Sequence, residues 1–364
     1  MITGDLDRAL ATAIGSAGTW RPAPPGTACE VRTYVTTIAF WLARGHSSGR
    51  GASGPAAIAT GLAERLSGLD WVEAAAVTGG GYLAVTVTPD ALAGLAVRIT
   101  EAGPGCITEA GPGCARSRAL AGTSLTAPAA ADLAHAQTWE EARQRVDTTV
   151  TGRLAEAAGA HVRWKHDAER IAAPHPPAPV TGPVAEAVAY AGADAITYAL
   201  ARLLPRGPAH VDARLAAAHH LGNPAYAVQY AHAHAASALR QAADLGLGRG
   251  EAAGFQPRLL AHPSEQALLN ALSWLPERVA GAARRARPDV LAHFLEGLAR
   301  AYFDGQETCP AVRPGMTASA GPGRSPAERA AVQAAAARLW LAAAARTALG
   351  AGLGLLGVGA PDRL

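Results

Sequence analysis

The chain has 364 residues, of which 49% are hydrophobic and 17% charged, and its formal net charge is +3. This length accommodates two or three domains with a substantial core, and the apolar share excludes a chain that is disordered throughout. Much of the apolar content is alanine, which favours helices, so we expect a mainly α protein. The small net charge excludes a strongly basic nucleic-acid arm.

Positive charge is concentrated in the second half of the chain. Residues 185–364 carry 17 Arg against 13 Asp and Glu, whereas residues 1–184 carry 15 basic and 16 acidic side chains. Lys165 is the single lysine. Any phosphate contact therefore has to come mainly from arginine, whose guanidinium is a planar donor fork. The excess permits RNA binding but does not require it.

Several features predict a soluble, cytoplasmic protein without a metal site. Asp5 and Asp7 lie where a signal peptide needs positive charge. The apolar segment 339–360 is interrupted by Arg346 and five glycines, which argues against a membrane span. The four cysteines lack the spacing of a zinc site or a disulfide framework; they are Cys29, Cys106, Cys114 and Cys309.

The first elements in chain order are predicted to be helices. Residues 1–17 are expected to form a short helix that ends before a Pro-rich break at 22–25. Amphipathic patterns then predict helices over Tyr34–Arg44 and Ala56–Leu66. The Gly/Ser tract 45–54 separates these two helices.

A predicted β-hairpin completes this part of the chain. Val72–Val77 and the alternating segment Tyr82–Thr88 flank three consecutive glycines, a pattern typical of a hairpin. We therefore assign residues 28–105 to a small α/β domain and residues 1–27 to an N-terminal segment.

The middle of the chain, residues 106–183, is interpreted as a linker with a helical remnant. An eight-residue tandem repeat spans 101–116 and is expected to be a loop, because two Gly-Pro units are too few for a solenoid. Trp139–Ala157 is predicted to be a helix. A Pro-rich run at 174–179 marks a domain boundary.

Residues 184–364 are predicted to be a bundle of five or six helices. Asn223 is a good N-cap for one helix, and Pro224 suits its first position. The last helix is expected from about Ser325 to Gly350. One helix has a buried face with spacing i, i+3, i+4, i+7 and i+11, formed by Leu291, Phe294, Leu295, Leu298 and Tyr302.

Three catalytic or metal-binding patterns are discounted. The GxSxG match at 45–49 lacks the strand before it and the helix after it that a hydrolase elbow needs. The GxGxxG match at 352–357 is interpreted as a glycine-capped helix C-terminus, since only seven residues follow it. Four nearby histidines do not predict a metal site, because i and i+2 side chains on a helix point to different faces; they are His219, His220, His232 and His234.

The helix after Asn223 carries the candidate RNA-binding residues. Tyr226, Tyr230 and His234 share one face at i, i+4 and i+8, where they either pack the bundle or stack on bases. Other side chains on this helix and on the last one are candidates for hydrogen bonds to RNA, or are plain surface. The complete set of RNA-binding candidates is Tyr226, Gln229, Tyr230, His232, Arg240, Arg338 and Arg346.

Residues 192–202 and 223–234 together resemble the opening of the anticodon-binding domain of arginyl-tRNA synthetases, called DALR. Its signature is similar to residues 194–197, and the resemblance continues through 262–265 and 291–299 to the end of the sequence. It implies a DALR-type helical bundle over 184–364 that binds the anticodon stem and loop of a tRNA, with arginine tRNA as the implied partner.

Residues 28–105 resemble the N-terminal additional domain of the same family, through segments 34–44, 55–59 and 79–83. The family implies a nucleotide-binding catalytic domain between the two regions. Only about 80 residues stand there, fewer than such a domain requires. The tetrad 220–223 resembles the family's HIGH box but lies downstream, and the second box needs two lysines.

These features predict a catalytically silent paralogue of arginyl-tRNA synthetase that binds tRNA and needs no cofactor. One alternative is a protein-interaction module that reuses the bundle surface for a protein partner. A second alternative is an active arginine–tRNA ligase, which similarity to the family suggests and which would use ATP.

Overall fold

The computed structural model describes residues 2–15, 22, 31–45, 54–103, 113–131, 133–165, 182–316 and 325–364. Several sequence predictions lie mainly outside these residues: the two Pro-rich runs, the Gly/Ser tract with its GxSxG match, and most of the tandem repeat. Cys29 and Cys106 also lie outside them. Cys114 and Cys309 are buried free thiols.

The N-terminal part combines helices with a three-stranded sheet, as the predicted small α/β domain requires. The elements are α1 (Ile2–Ile14), β1 (Thr33–Thr36), α2 (Ile38–Gly45), α3 (Pro55–Leu66), β2 (Val72–Thr78), β3 (Tyr82–Val87), α4 (Pro89–Ala93) and α5 (Leu95–Glu101). The strands lie in the order β1-β3-β2 with antiparallel pairing, which confirms the hairpin of β2 and β3.

The helix predicted over Tyr34–Arg44 is wrong at its start. Tyr34 lies in β1 opposite Val85 of β3, and the helix begins only at Ile38. Aromatic and β-branched side chains pack well on a half-buried sheet, and this non-local pairing outweighs the local helical pattern. The Thr36 hydroxyl accepts a hydrogen bond from the Ile38 N–H at 3.2 Å, where the chain turns into α2.

The middle part contains a β-α-β unit whose strands were not predicted. It consists of β4 (Ser124–Pro128), α6 (Trp139–Ala157) and β5 (His161–Lys165), and the two strands are parallel. Parallel strands need a crossover connection, which α6 supplies within the bounds that the sequence predicts. Gly152 lets α6 lie close to the strands, since a Cβ there would be 2.6 Å from Cβ of Ala127.

The C-terminal part is helical, as predicted, but its described residues form more helices than the expected five or six. Three short helices precede five longer ones that make up the bundle. They are α7 (Pro183–Ala191), α8 (Ala193–Ala201), α9 (Ala213–Ala216), α10 (Pro224–Asp244), α11 (Pro263–Ser273), α12 (Leu275–Arg285), α13 (Pro288–Thr308) and α14 (Pro326–Leu356).

Helix α14 is the central helix of the bundle and packs against α10, α11 and α13. Ser325 begins it with a capping box to Glu328, and Gly357 ends it with a φ of 79°, which confirms the glycine-capped C-terminus. Among the described helices, only α14 is long and apolar enough to cross a membrane. Its apolar window is 83% buried, which is typical of a core helix.

One hydrophobic core extends from α1 to Val358 and joins the N-terminal part to the bundle. Tyr34 connects the two parts. Its hydroxyl donates to the Ser273 hydroxyl at 2.7 Å, and the centroid of its ring lies 5.3 Å from that of Trp274. Burial raises the pKa of Tyr34, so the donor stays protonated. Because the core is shared, the domain limits at residues 27, 105 and 183 stay a prediction.

Candidate nucleic-acid interface

The loop before α10 uses the HIGH-like tetrad to cap this helix. The Asn223 carboxamide oxygen caps the helix N-terminus, and its amide donates to the carbonyls of Ala216 and Ala218 at 2.9 and 2.8 Å. The His220 imidazole accepts a hydrogen bond from the Gly222 N–H at 3.0 Å. Both ends of the tetrad therefore hold the loop in shape, as local capping residues do.

A column of four rings starts at this loop and crosses from α10 to α13. We call His219, Tyr226, Tyr230 and Phe303 the ring column. The ring centroids of His219 and Tyr226 are 5.4 Å apart, and those of Tyr226 and Tyr230 are 5.7 Å apart, nearly parallel in both pairs. Phe303 stacks on Tyr230 at 5.7 Å. His219 is exposed and the two tyrosines are half-buried, so the column reaches the surface.

The inner end of the ring column is fixed by a hydrogen bond. His234 shares the face of Tyr230, as the spacing predicts, and its imidazole hydrogen-bonds the buried Tyr302 hydroxyl at 2.9 Å. Burial lowers the pKa of His234, which favours the neutral imidazole. Burial also raises the pKa of Tyr302, so that its hydroxyl remains available as a donor. The column therefore has a rigid base.

A second face of α10 is covered by the end of the chain. We call residues 359–362 the C-terminal tail. The Gln229 amide donates to the Gly359 carbonyl at 3.0 Å, and the buried His232 imidazole lies 3.1 Å from the Pro361 carbonyl oxygen. The Arg240 guanidinium donates to the Asp362 carbonyl at 3.1 Å. Three RNA-binding candidates are thus engaged by the backbone of the same tail.

Arg346 binds the tail through a side chain. Its guanidinium donates to both carboxylate oxygens of Asp362, at 2.8 and 2.9 Å. Burial of Asp362 opposes ionisation, but the hydrogen bonds from Arg346 and the positive charges of Arg346, His232 and Arg240 together lower the pKa of this carboxyl group. The two side chains are 39% and 49% exposed, so solvent weakens the pair.

Arg338 lies apart from the tail, in an ion pair inside the bundle. Its Nε is 2.7 Å from Oε1 of Glu265, and the two side chains are only 15% and 2% exposed. The other Glu265 oxygen accepts the His262 N–H at 3.0 Å and caps α11. Arg338 therefore neutralises a buried carboxylate, and its spacing from Arg346 does not place both side chains on one RNA surface.

The seven candidates therefore fall into three groups: two rings in the column, four polar side chains at the tail, and one buried ion pair. From the sequence, His219 was considered only as a metal ligand, and Phe303 was not predicted because the contact between α10 and α13 is not local. Among the residues that the structure describes, no group of three or more His, Cys, Asp or Glu side chains could hold a metal ion.

Comparison with known proteins identifies the helical half of the chain. Residues 228–364 match the family model of the DALR anticodon-binding domain. An arginine–tRNA ligase of Micrococcus luteus is 39% identical over 177 residues, which are 49% of this chain and 30% of that ligase. An arginine–tRNA ligase of Chloroflexus aggregans is 42% identical over 143 residues, or 39% of this chain and 22% of the ligase.

A solved arginyl-tRNA synthetase of Thermus thermophilus aligns with all of this chain and 58% of its own, at 20% identity and a TM-score of 0.35. The matched region spans less than a third of the length of the curated ligases. Residues 228–364 therefore form a DALR anticodon-binding domain, and the C-terminal half of the chain that contains it is related to arginine–tRNA ligases.

Proposed function

We propose that the protein binds tRNA through the ring column and does not aminoacylate it. The observation that carries the proposal is the column itself: parallel rings that reach the surface where the matched DALR region begins, with His219 and Tyr226 just before residue 228 and Tyr230 just after it. Aromatic rings of this kind bind unpaired bases by stacking, and each stacked base contributes about 1–3 kcal/mol. The anticodon loop of a tRNA presents such bases. An arginine tRNA is the tRNA that the related ligases suggest.

Three exposed arginines that are not among the seven candidates predicted from the sequence supply the positive charge in this proposal. Arg300 on α13 is exposed, lies three residues before Phe303, and forms no ion pair with any described residue. Arg206 and Arg214 are likewise exposed in the segment that leads to α10, without an ion pair in the described part of the chain. Exposed guanidinium groups are suited to contact phosphates, because arginine offers a donor fork.

The absence of ligase activity in this proposal has two supports. His220 and Asn223 are engaged in capping α10, and Lys165 is the single lysine of the sequence. In addition, the described part of the middle region contains one small β-α-β unit rather than a large nucleotide-binding sheet. We accordingly propose that the protein acts in the cytoplasm on tRNA without ATP.

Filter binding with transcribed arginine tRNA at moderate salt tests the proposal. We expect tighter binding to this tRNA than to bulk RNA, and a loss of about tenfold in affinity for Tyr226→Ala. Tyr190→Ala is the matched control, because Tyr190 is 65% exposed and lies outside the column. Equal binding of arginine tRNA and bulk RNA would contradict the proposal, as would equal losses for the two variants.

A protein-interaction module is the second candidate function. It is favoured by four exposed apolar side chains between α7 and α10, namely Tyr190, Leu204, Leu215 and Leu221. Salt separates the two candidates: RNA binding weakens steeply with salt because counterions are released, whereas apolar docking does not. If the affinity for the natural partner does not change with salt concentration, the protein-interaction module is favoured.

Ligase activity is tested separately by ATP–pyrophosphate exchange in the presence of arginine. We expect no exchange above a protein-free blank. Exchange that depends on arginine would overturn the catalytically silent part of the proposal and leave the RNA-binding part intact.

A further inference from the structure

The N-terminal part of the protein contains a cleft that lies away from the ring column. It has a volume of about 670 Å³ and is bounded by α1, the junction of α4 and α5, and the loop at 252–255. Small-molecule sites are usually clefts of roughly 300–1,000 Å³. The cleft is therefore large enough for a compact organic ligand and too small for a folded RNA.

The floor of the cleft is apolar and includes two aromatic rings. Trp71 and Phe255 both line it and are half-buried. Ile2, Leu69 and Val97 add aliphatic surface around the rings. A flat apolar group that enters here would cover side chains that water now reaches, which is the usual driving force for binding in such clefts.

The charged groups of the cleft converge on one acidic side chain. The Asp5 carboxylate forms ion pairs with Arg8 on its own helix and with Arg98 on α5. The three groups carry a net charge of +1, and each guanidinium uses only one of its terminal nitrogens in these pairs. The remaining N–H groups are able to donate to a second anion, because an arginine has five donors.

We propose that this cleft binds a small amphipathic anion, with a planar apolar body against Trp71 and Phe255 and a carboxylate or sulfonate against Arg8 and Arg98. The cleft is large enough to hold one or two fused rings with an acidic substituent. Asp5 positions the two guanidinium groups and reduces the positive charge, so a dianion is not required. The proposal is independent of RNA binding at the ring column.

A nuclear magnetic resonance titration with 2-naphthoate tests the proposal on the full chain. With ¹⁵N-labelled tryptophan, we expect the indole signal that disappears in Trp71→Phe to shift, with a dissociation constant of about 0.1–1 mM for a ligand of this size. The neutral isostere 2-naphthamide has the same rings without the charge. We expect it to bind about fivefold more weakly.

Arg98→Gln should bring the two probes to similar affinities, because this change removes one of the two groups that recognise the anion. Arg258→Gln is the matched control, since Arg258 is an exposed arginine that does not line the cleft. The control should keep the preference for naphthoate. Thr12→Trp, at an exposed position on the cleft wall, should weaken both probes by filling the space.

Three results would overturn the proposal. The first is equal affinity of the unaltered protein for naphthoate and naphthamide, and the second is no shift of the Trp71 signal with either probe. The third is an equal change in preference for Arg98→Gln and Arg258→Gln. Thermal melting of every variant establishes that the fold is intact, and Arg8→Gln repeats the charge test at the more exposed arginine.

Discussion

The two faces of α10 use side chains in opposite ways. On one face, Tyr226 and Tyr230 are half-buried and stack in a column that reaches the surface. On the other, the sequence predicts that Gln229 and Arg240 are exposed and available to RNA, yet both side chains bind the backbone of the C-terminal tail. The aromatic side chains are thus left partly exposed to solvent, whereas polar side chains of the kind that contact RNA form hydrogen bonds within the protein.

Residue type alone therefore does not identify an interface. Arginine and glutamine are suited to phosphates and bases, but they also satisfy buried or half-buried carbonyl groups, which are costly to leave unpaired. A stacked ring loses no hydrogen bond when it stays partly exposed. The ring face is therefore the better candidate for a ligand, and the tail face is better explained as part of the fold.

The largest effect is expected where a polar candidate is most deeply buried. Arg338→Ala should lower the free energy of unfolding by about 3 kcal/mol, because it leaves the buried Glu265 carboxylate without its cationic partner. Arg346→Ala is the control on the same helix, and we expect a loss of less than about 1 kcal/mol. Urea denaturation measures both. Equal losses would show that Arg338 does not have the structural role described above.

The next effect concerns RNA and compares the two faces directly. Tyr230→Leu should reduce tRNA affinity about tenfold, since leucine retains apolar packing but removes the ring that holds Tyr226 in the column. Gln229→Ala, one residue earlier on the tail face, should change it by less than about twofold. Filter binding at one fixed salt concentration measures both variants. A larger loss for Gln229→Ala would move the interface to the tail face.

Local features of the structure were predictable from the sequence, and non-local ones were not. The start of α10 at Asn223-Pro224 and the bounds of α6 follow from caps and periodicity within a few residues. The pairing of Tyr34 with β3 and the tail contacts of Arg240 join positions far apart in the chain. Such contacts depend on how helices and strands pack, which a single sequence does not encode in a readable pattern.

The same limit explains the partial success at the candidate site. The spacing of Tyr226, Tyr230 and His234 on one helix face is a local property, and the structure confirms it. Phe303 could be added only after α13 was placed against α10. The four tail-bound candidates have suitable chemistry in the sequence, but three of their partners lie more than a hundred residues away, and Asp362, the partner of Arg346, lies beyond the C-terminal end of α14.

A smaller effect is expected at the tail itself. In a double-mutant cycle of Arg346→Ala and Asp362→Ala, the coupling free energy should be below about 1 kcal/mol at low salt and should decrease as salt is added. Both side chains are partly exposed, so solvent and ions screen the pair. A coupling above about 2 kcal/mol would mean that the tail is held far more firmly than its exposure implies.

The smallest effect concerns pH and has one histidine on each face. Burial lowers the pKa of both His232 and His234, so the folded state binds protons less readily than the unfolded state. Their contribution to stability is therefore complete above the ordinary histidine pKa of about 6.5 and is lost as the pH falls from that value through the lower pKa of the folded state. Replacing either residue with Gln should make the unfolding free energy fall less between about pH 7 and pH 5. His232→Gln should act at the tail without changing tRNA affinity, whereas His234→Gln removes a contact of the ring column and should weaken tRNA binding as well. If both variants weakened tRNA binding equally, the two faces would form one RNA surface, and the distinction between them would be wrong.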